Sequence, residues 1–358
     1  MIEKSRNVRT RDFIHTTDDL FFASTNYLHP KDRFISFLRY IPDENGDREK
    51  NGQRYSKVTS EEAYRYLHEN YPEYLYFCNI SNVEMMGVPH SKVKSIIKPE
   101  ERLEEIRENS SDISTNNPLI TKLLKLADFF HYCGGIAREN LGISGSILPN
   151  LEQESISDLD FVIYGLENHR KAMELFKKFQ NKEVQIPKSK TNVMLKAIED
   201  SYWEKIFNKR MKDSSLSKKE FCWYESRKYN RGVIDGTLFD ILATRNPEEI
   251  HGKWGDTKYE PIGIATIEAT VKNAIASFDN PAIYEISDLA IVKSDFENNY
   301  NITEIASFTH TYAGQAIEGE EIIAKGKVEK VIKDGCKNSY RLVVGTTRES
   351  IDEFIKLK

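Results

Sequence analysis

The sequence predicts an α+β fold in three parts. A small N-terminal α/β domain occupies residues 1–105. A core of mixed sheet flanked by helices follows at 106–250, and a β-rich, barrel-like domain at 251–358. Three observations lead there. Strand-like runs surround one capped helix before residue 105. Helix, strand, helix and strand then succeed one another between residues 119 and 243. Beyond Pro247 helical periodicity gives way to short β-like runs, with glycines at Gly314, Gly319, Gly326, Gly335 and Gly345.

In the first part, Phe13-Ile-His15 and the apolar run at 20–25 flank Thr17-Asp-Asp19, a hairpin pattern. Residues 33–40 read as another strand, and Pro42-Asp-Glu-Asn-Gly-Asp47 as a turn. Thr59-Ser-Glu-Glu62 has capping-box spacing and starts a helix through His68. Residues 74–78 form a strand, and Pro99 opens a charged helix through Arg107. The polar stretch 110–118 is a linker or loop. In the core, apolar spacing predicts a helix over 119–140 that runs into Gly142-Ile-Ser-Gly-Ser146. Strands are expected at 158–164 and 237–243, with an amphipathic helix over 169–179 between them. The third part has β-like runs at 262–269, 302–308, 322–331 and 340–344.

Bulk properties set limits. With 358 residues, 30% of them charged, and a net charge of −5, the chain fits a folded protein of two or three domains. That charge does not mark a nucleic-acid binder, so any such role needs a local patch. No apolar run is long enough to span a membrane, and Met1-Ile-Glu-Lys-Ser-Arg lacks a signal-peptide core, so a cytoplasmic location is expected. Cys78, Cys133, Cys222 and Cys336 are scattered, which fits neither a zinc site nor a disulfide framework.

The chemistry concentrates at Ser157-Asp158-Leu-Asp160-Phe161. Strand alternation puts Asp158 and Asp160 on one face, with Leu159 and Phe161 turned to a core. Paired carboxylates repel unless a cation or proton lies between them, and a hard cation such as Mg2+ takes oxygen ligands. The turn Gly145-Ser146 offers backbone N–H groups and a hydroxyl to a phosphate. Phosphoryl and nucleotidyl transfer use two metal ions about 3.5–4 Å apart, held by about three carboxylates. Asp240, centred in Leu-Phe-Asp-Ile-Leu, is the best third, because a lone acid there is expensive to bury. Asp235 is the runner-up, although Ile234-Asp-Gly-Thr reads as a turn.

Gly145-Ser146, Ser157-Asp-Leu-Asp160 and Asp240 together resemble the signature of the DNA polymerase beta-like nucleotidyltransferase superfamily. The resemblance covers residues 119–246. It implies that Gly145 and Ser146 hold a triphosphate, that Asp158 and Asp160 bind two Mg2+ or Mn2+ ions, and that Asp240 binds the ion activating the acceptor hydroxyl. The full chain is also similar to a group of archaeal predicted nucleotidyltransferases. Arg11-Asp-Phe-Ile-His-Thr with Phe37-Leu-Arg-Tyr-Ile-Pro42, Arg227-Lys-Tyr-Asn-Arg-Gly-Val-Ile-Asp-Gly236 and Thr309-His-Thr-Tyr-Ala-Gly-Gln315 carry that likeness.

Eighty positions separate Asp160 from Asp240, so material is inserted between the strands. Residues 187–232 hold twelve Lys or Arg against six Asp or Glu, with Tyr202, Trp203, Phe207, Phe221, Trp223, Tyr224 and Tyr229 among them. Bases stack on rings and phosphates attract cations, so this helical insert is a candidate nucleic-acid patch; a helical insert with an aromatic core and solvated lysines is the favoured reading for most of these residues. Arg227 and Lys228 lie just before the Asp240 strand and are expected to reach the nucleotide's β- and γ-phosphates. His15, His29 and His310 are assigned polar structural roles.

The expected reaction is attack of an acceptor hydroxyl on the α-phosphate of a nucleoside triphosphate, releasing pyrophosphate. RNA or another nucleic-acid end is the favoured acceptor. One rival is AMP or UMP transfer to a protein or small molecule. The other is a non-catalytic nucleotide- or RNA-binding regulator.

Overall fold

The computed structural model describes residues 8–80, 83–112, 117–188, 191–297, 300–333, 335–345 and 351–358. It is a mixed α+β structure whose described residues form three sheets and six α-helices. The strands of the three sheets fall within residues 13–97, 141–244 and 257–357. The chain divides into two compact units, one of Met1–Lys196 with Gly232–Trp254, the other of Ala197–Arg231 with Gly255–Lys358. The N-terminal domain thus shares a unit with the core, and the helices of the expected insert belong with the C-terminal part.

In the first unit, the N-terminal sheet contains β1 (Phe13–Thr16), β2 (Phe21–Ser24), β3 (Arg33–Pro42), β4 (Arg48–Lys50), β5 (Gln53–Lys57), β6 (Leu75–Cys78), β7 (Val83–Pro89) and β8 (Val93–Ile97). Its main order is β4-β5-β3-β2-β1-β8, with β7 joining β6 to β3. Helix α1 (Ser60–Asn70) begins with the expected capping box, in which the Thr59 hydroxyl accepts from Glu62 N–H and the Glu62 carboxylate from Thr59 N–H. The stretch after Asp47 is a hairpin turning on Asn51-Gly52, both at positive φ. Ile14, Leu20, Phe22, Leu38, Leu67 and Val88 form this part's core.

Helix α2 (Pro99–Asp112) follows, and Asn117 caps α3 (Pro118–Asp128) through its side-chain oxygen. Residues 113–116, the middle of the expected linker, lie outside the described residues. The helix expected through residue 140 stops early. A single π-turn over Phe129–Cys133 leads to Gly134-Gly135, and Gly135 takes a left-handed φ of 64° that ends the helix.

The second sheet has the order β11-β12-β13-β14-β10-β9. Its strands are β9 (Leu141–Ile143), β10 (Leu159–Tyr164), β11 (Lys182–Gln185), β12 (Asn192–Lys196), β13 (Arg231–Ile234) and β14 (Thr237–Thr244), with α4 (Leu166–Phe179) crossing from β10 to β11. Residues 192–196 are therefore strand, although the insert was expected to be helical from residue 187. Strands β10 and β14 are parallel, and β9 is antiparallel to β10. Leu159, Phe161, Ile163, Phe239, Ile241 and Ala243 are buried, with Phe130 against Phe161 and Phe176 against Phe239. That packing fixes which face is left for the acids.

The second unit contains α5 (Asp200–Arg210), α6 (Lys218–Arg227), β15 (Thr257–Asn273), β16 (Ala282–Ser294), β17 (Ile302–Ser307), β18 (Glu321–Lys333), β19 (Ser339–Val344) and β20 (Phe354–Leu357). The order β15-β16-β17-β19-β18 closes through β15–β18 pairing, with β17 and β19 parallel and β20 added beside β18. This is a closed five-stranded Greek-key barrel, as the glycine-punctuated runs predicted. Leu216, Phe221 and Tyr224 enter the barrel's own core.

His29 shows how the N-terminal sheet handles buried polarity. Its Nε2–H donates to Val8 O at 2.9 Å, and its Nδ1 accepts from Ile35 N–H at 3.0 Å. Burial pushes the imidazole pKa down to about 4 from an ordinary 6.5. The folded value lies below the unfolded one, so the neutral ring's contribution is present above pH 6.5 and is lost as pH falls toward 4. The loss amounts to about 3 kcal/mol. Urea unfolding should therefore show that His29→Gln costs less at pH 4 than at pH 7 relative to wild type; an equal cost at both pH values would refute the neutral buried ring.

Candidate active site

Strand register brings the acids together. Asp160 of β10 and Asp240 of β14 are direct partners in the parallel pair, so their side chains leave the same face side by side. Asp158, two residues upstream and exposed, follows the same alternation. Asp160 keeps an accessible edge in a crowded recess. Burial first, then the Asp240 charge, pushes its pKa up to about 6; Asp158 adds to the rise, while Arg11 and Arg39 oppose it. Carboxylate oxygens are the donor type a hard divalent cation takes. Among the described residues, no three His, Cys, Asp or Glu groups converge as a metal-ligand set. The fit to a metal thus rests on the Asp160–Asp240 pair, with Asp158 nearby.

The Gly-Ser turn lies against this pair. Gly145 has φ 64°, and a Cβ built there would come within 1.9 Å of Asp160 Oδ2. Only glycine lets the backbone lie so close to the carboxylate. Ser144 N–H donates to Asp160 O at 2.9 Å. The Ser146 hydroxyl donates to Ser157 Oγ at 3.1 Å, and Ser157 Oγ also accepts from Gln153 N–H. These bonds tie the turn to the Ser-Asp-Leu-Asp run and fix the loop between them.

The N-terminal sheet holds that loop from the other side. Arg48 donates to Leu151 O, Lys50 to Pro149 O and Arg102 to Ile147 O. Leu148 and Leu151 pack with Phe13, Phe21, Tyr40 and Tyr55. Below them, Asp12 is buried and paired with Lys98, and Arg9 bridges Glu100 while stacking over Tyr164.

The sequence analysis missed three residues that this arrangement brings near the acids: Arg11, Arg39 and Lys57. The charges of Arg11 and Arg39 act on Asp160, and Lys57 feels both Asp160 and Asp158. Desolvation first, then Arg39, holds the Lys57 ammonium below its usual value. Arg11 sits at φ 75°, a conformation that costs about 1–2 kcal/mol for a residue with a Cβ. Arg11-Asp-Phe had already been noted as a sequence likeness, but nothing in it signalled charge beside a distant strand. A cavity of about 460 Å³ is lined by Lys122, Glu154, Ser155, Asp235 and Thr237 among others, and by none of the three acids or these three cations.

A protein of Methanocaldococcus jannaschii, "Uncharacterized protein MJ1086", is 42% identical to this chain, with 98% of this chain and 99% of the relative aligned. The chain belongs to that archaeal family. No family model and no solved structure matches it. The likeness spans both units, so the acids, the N-terminal sheet and the barrel all lie within the family's shared length.

Two of the expected phosphate ligands are placed otherwise. Arg227 and Lys228 lie in the second unit. Lys228 is 6% exposed, and its ammonium donates to Glu225 and to Thr311 O. Arg227 pairs with Glu320 and stacks over Trp223. An ammonium taken out of water needs partners of this kind, and here they are structural. Trp203, Phe221 and Tyr224 are likewise buried, whereas Trp223 is half exposed. The reading of the insert as aromatic core with a solvated basic face accounts for most of these residues. Asp235 is in a left-handed turn and pairs with Lys125, a local role.

Gly236 also has positive φ, but a Cβ there meets nothing within 4 Å. Gly236→Ala should therefore pay backbone strain alone, about 1 kcal/mol, while Gly145→Ala should pay about 1–3 kcal/mol more for the Asp160 clash. Equal losses in urea unfolding would count against the close approach. Lys228→Met should cost about 3 kcal/mol by leaving Glu225 in a buried site, and adding Glu225→Gln should recover part of it. A Lys228→Met variant as stable as wild type would contradict this structural role.

Proposed function

We propose that this chain is a metal-dependent nucleotidyltransferase of the polymerase beta-like type, moving a nucleoside monophosphate from an NTP to an acceptor hydroxyl. The observation that carries the reading is the in-register pair Asp160–Asp240, with Asp158 upstream and Gly145-Ser146 laid against it. The sequence resemblance names the same residues independently.

Asp158, Asp160 and Asp240 would hold Mg2+ or Mn2+. Metal ions bound there would neutralise phosphate charge and lower the pKa of the attacking hydroxyl. The Gly145-Ser146 turn supplies amide donors for the phosphates, and Ser157 keeps that turn in place.

A nucleic-acid end remains the favoured acceptor, now on different support. The closed five-stranded Greek-key barrel is an architecture used to bind oligonucleotides and oligosaccharides. The committed cations and buried aromatics of α5 and α6 favour the second reading, transfer to a protein or small molecule, because they leave less of a basic groove.

The test is incubation with each α-labelled NTP, Mg2+ or Mn2+, and either total RNA or total protein. Asp158→Asn with Asp160→Asn should reduce labelling by roughly 10²–10³-fold, the order lost with a preorganised charge-stabilising group. Label in RNA supports the first reading and label in protein the second. Undiminished transfer by the double variant would refute the assignment of the acids.

A further inference from the structure

The recess holds charges of both signs. Asp158, Asp160 and Asp240 supply the negative side, and Arg11, Arg39 and Lys57 the positive side. Among the described residues, the side chains of Arg11, Arg39 and Lys57 make no hydrogen bond or ion pair. Their neighbours do: Arg48 and Lys50 are bound to loop carbonyls, Arg9 to Glu100 and Lys98 to Asp12.

Backbone irregularities place both arginines. In the β2–β3 pair, Phe21 faces Tyr40 and Phe22 faces Leu38, so Arg39 is the extra residue of a β-bulge. Bulges re-aim side chains and occur beside functional sites. Arg11 is held in its left-handed conformation from two sides. Its N–H donates to Ser24 O, and its carbonyl accepts from the Ser144 hydroxyl, one residue before Gly145. Strain of this kind persists only where its surroundings over-determine it. Here the same bond that holds Arg11 also anchors the Gly-Ser turn.

A ligand that satisfies both halves of the recess must carry a cation for the carboxylates and several negative charges for the guanidinium groups. A divalent metal complexed to a chain of phosphates has that form, and Arg binds phosphate oxygens in bidentate fashion. We propose that Arg11 and Arg39, with Lys57 beside them, are the polyphosphate-binding face of this site. The N-terminal sheet would then supply half of the nucleotide site, the role the sequence had given to Arg227 and Lys228. This assignment rests on the nucleotidyltransferase reading for the identity of the ligand, an NTP, but not for the presence of a polyphosphate site.

The test is calorimetric titration of the full-length protein with inorganic tripolyphosphate and with NTPs, in Mg2+. Arg11→Gly and Arg39→Met should each weaken tripolyphosphate binding roughly 10- to 100-fold, the loss expected for a charge-assisted contact. Glycine adopts positive φ without strain, so Arg11→Gly should do this with little change in thermal midpoint. Arg227→Met, in the second unit, should bind as wild type does. Absence of tripolyphosphate binding by wild type, or unchanged affinity in both arginine variants, overturns the proposal. If tripolyphosphate binds through Arg11 and Arg39 but no acceptor is ever labelled, the polyphosphate site stands and the transferase reading falls. If nucleotide is transferred and the variants keep the wild-type KM for NTP, the transferase reading stands and this assignment falls.

Discussion

The first unit depends on the register of one parallel strand pair. Leu159, Phe161 and Ile163 on one strand and Phe239, Ile241 and Ala243 on its neighbour turn into the core together, and that alone sets Asp160 beside Asp240. A slip of either strand by one residue would bury its own carboxylate and expose its own phenylalanine. Hydrophobic burial on one face thus forces like charges together on the other; burial first, and then the Asp240 charge, makes Asp160 a weaker acid. The Gly-Ser turn, the clamped loop and the arginines of the N-terminal sheet are all arranged around that enforced pair.

How much of this was legible depended on the range of the interactions involved. Asp158, Asp160 and Asp240 could be read because local alternation determines where a strand residue points. The capping box at Thr59 and the glycine-marked barrel were legible for the same reason, since their signals lie within a few residues. Strand β16 was not. It has an outer half of mixed polarity, so it shows no sustained alternation. The hairpin at Asn51-Gly52 had a turn signal, but its strands are short and charged.

The errors came from long-range pairing. Lys228 looked like a phosphate ligand because it is close in sequence to the Asp240 strand. Its actual partners, Glu225 on its own helix and Thr311 far along the chain, complete a buried ion pair. Arg39 carries no signal of a phosphate role in the sequence, because it lies within an apolar strand, where a single cation reads as a surface residue. Only the bulge opposite Phe21 and Phe22 reveals its direction, and a bulge depends on the pairing of two strands. Arg11 was similarly hidden, since a non-glycine residue at positive φ leaves no mark in the sequence.

The division of the chain has a consequence for biosynthesis. Helices α5 and α6 are translated between two strands of the second sheet, yet Leu216, Phe221 and Tyr224 bury themselves in a barrel made from the last hundred residues. A nascent chain that has just completed β14 therefore carries a helical pair whose buried apolar side chains have no packing partner yet. Neither unit can be excised as a continuous fragment: a cut near residue 254 leaves these side chains without their core, and a barrel begun there lacks part of its own. Boundaries for expressing either half must follow this interleaving, with residues 197–231 replaced by a short loop in one and supplied to the other.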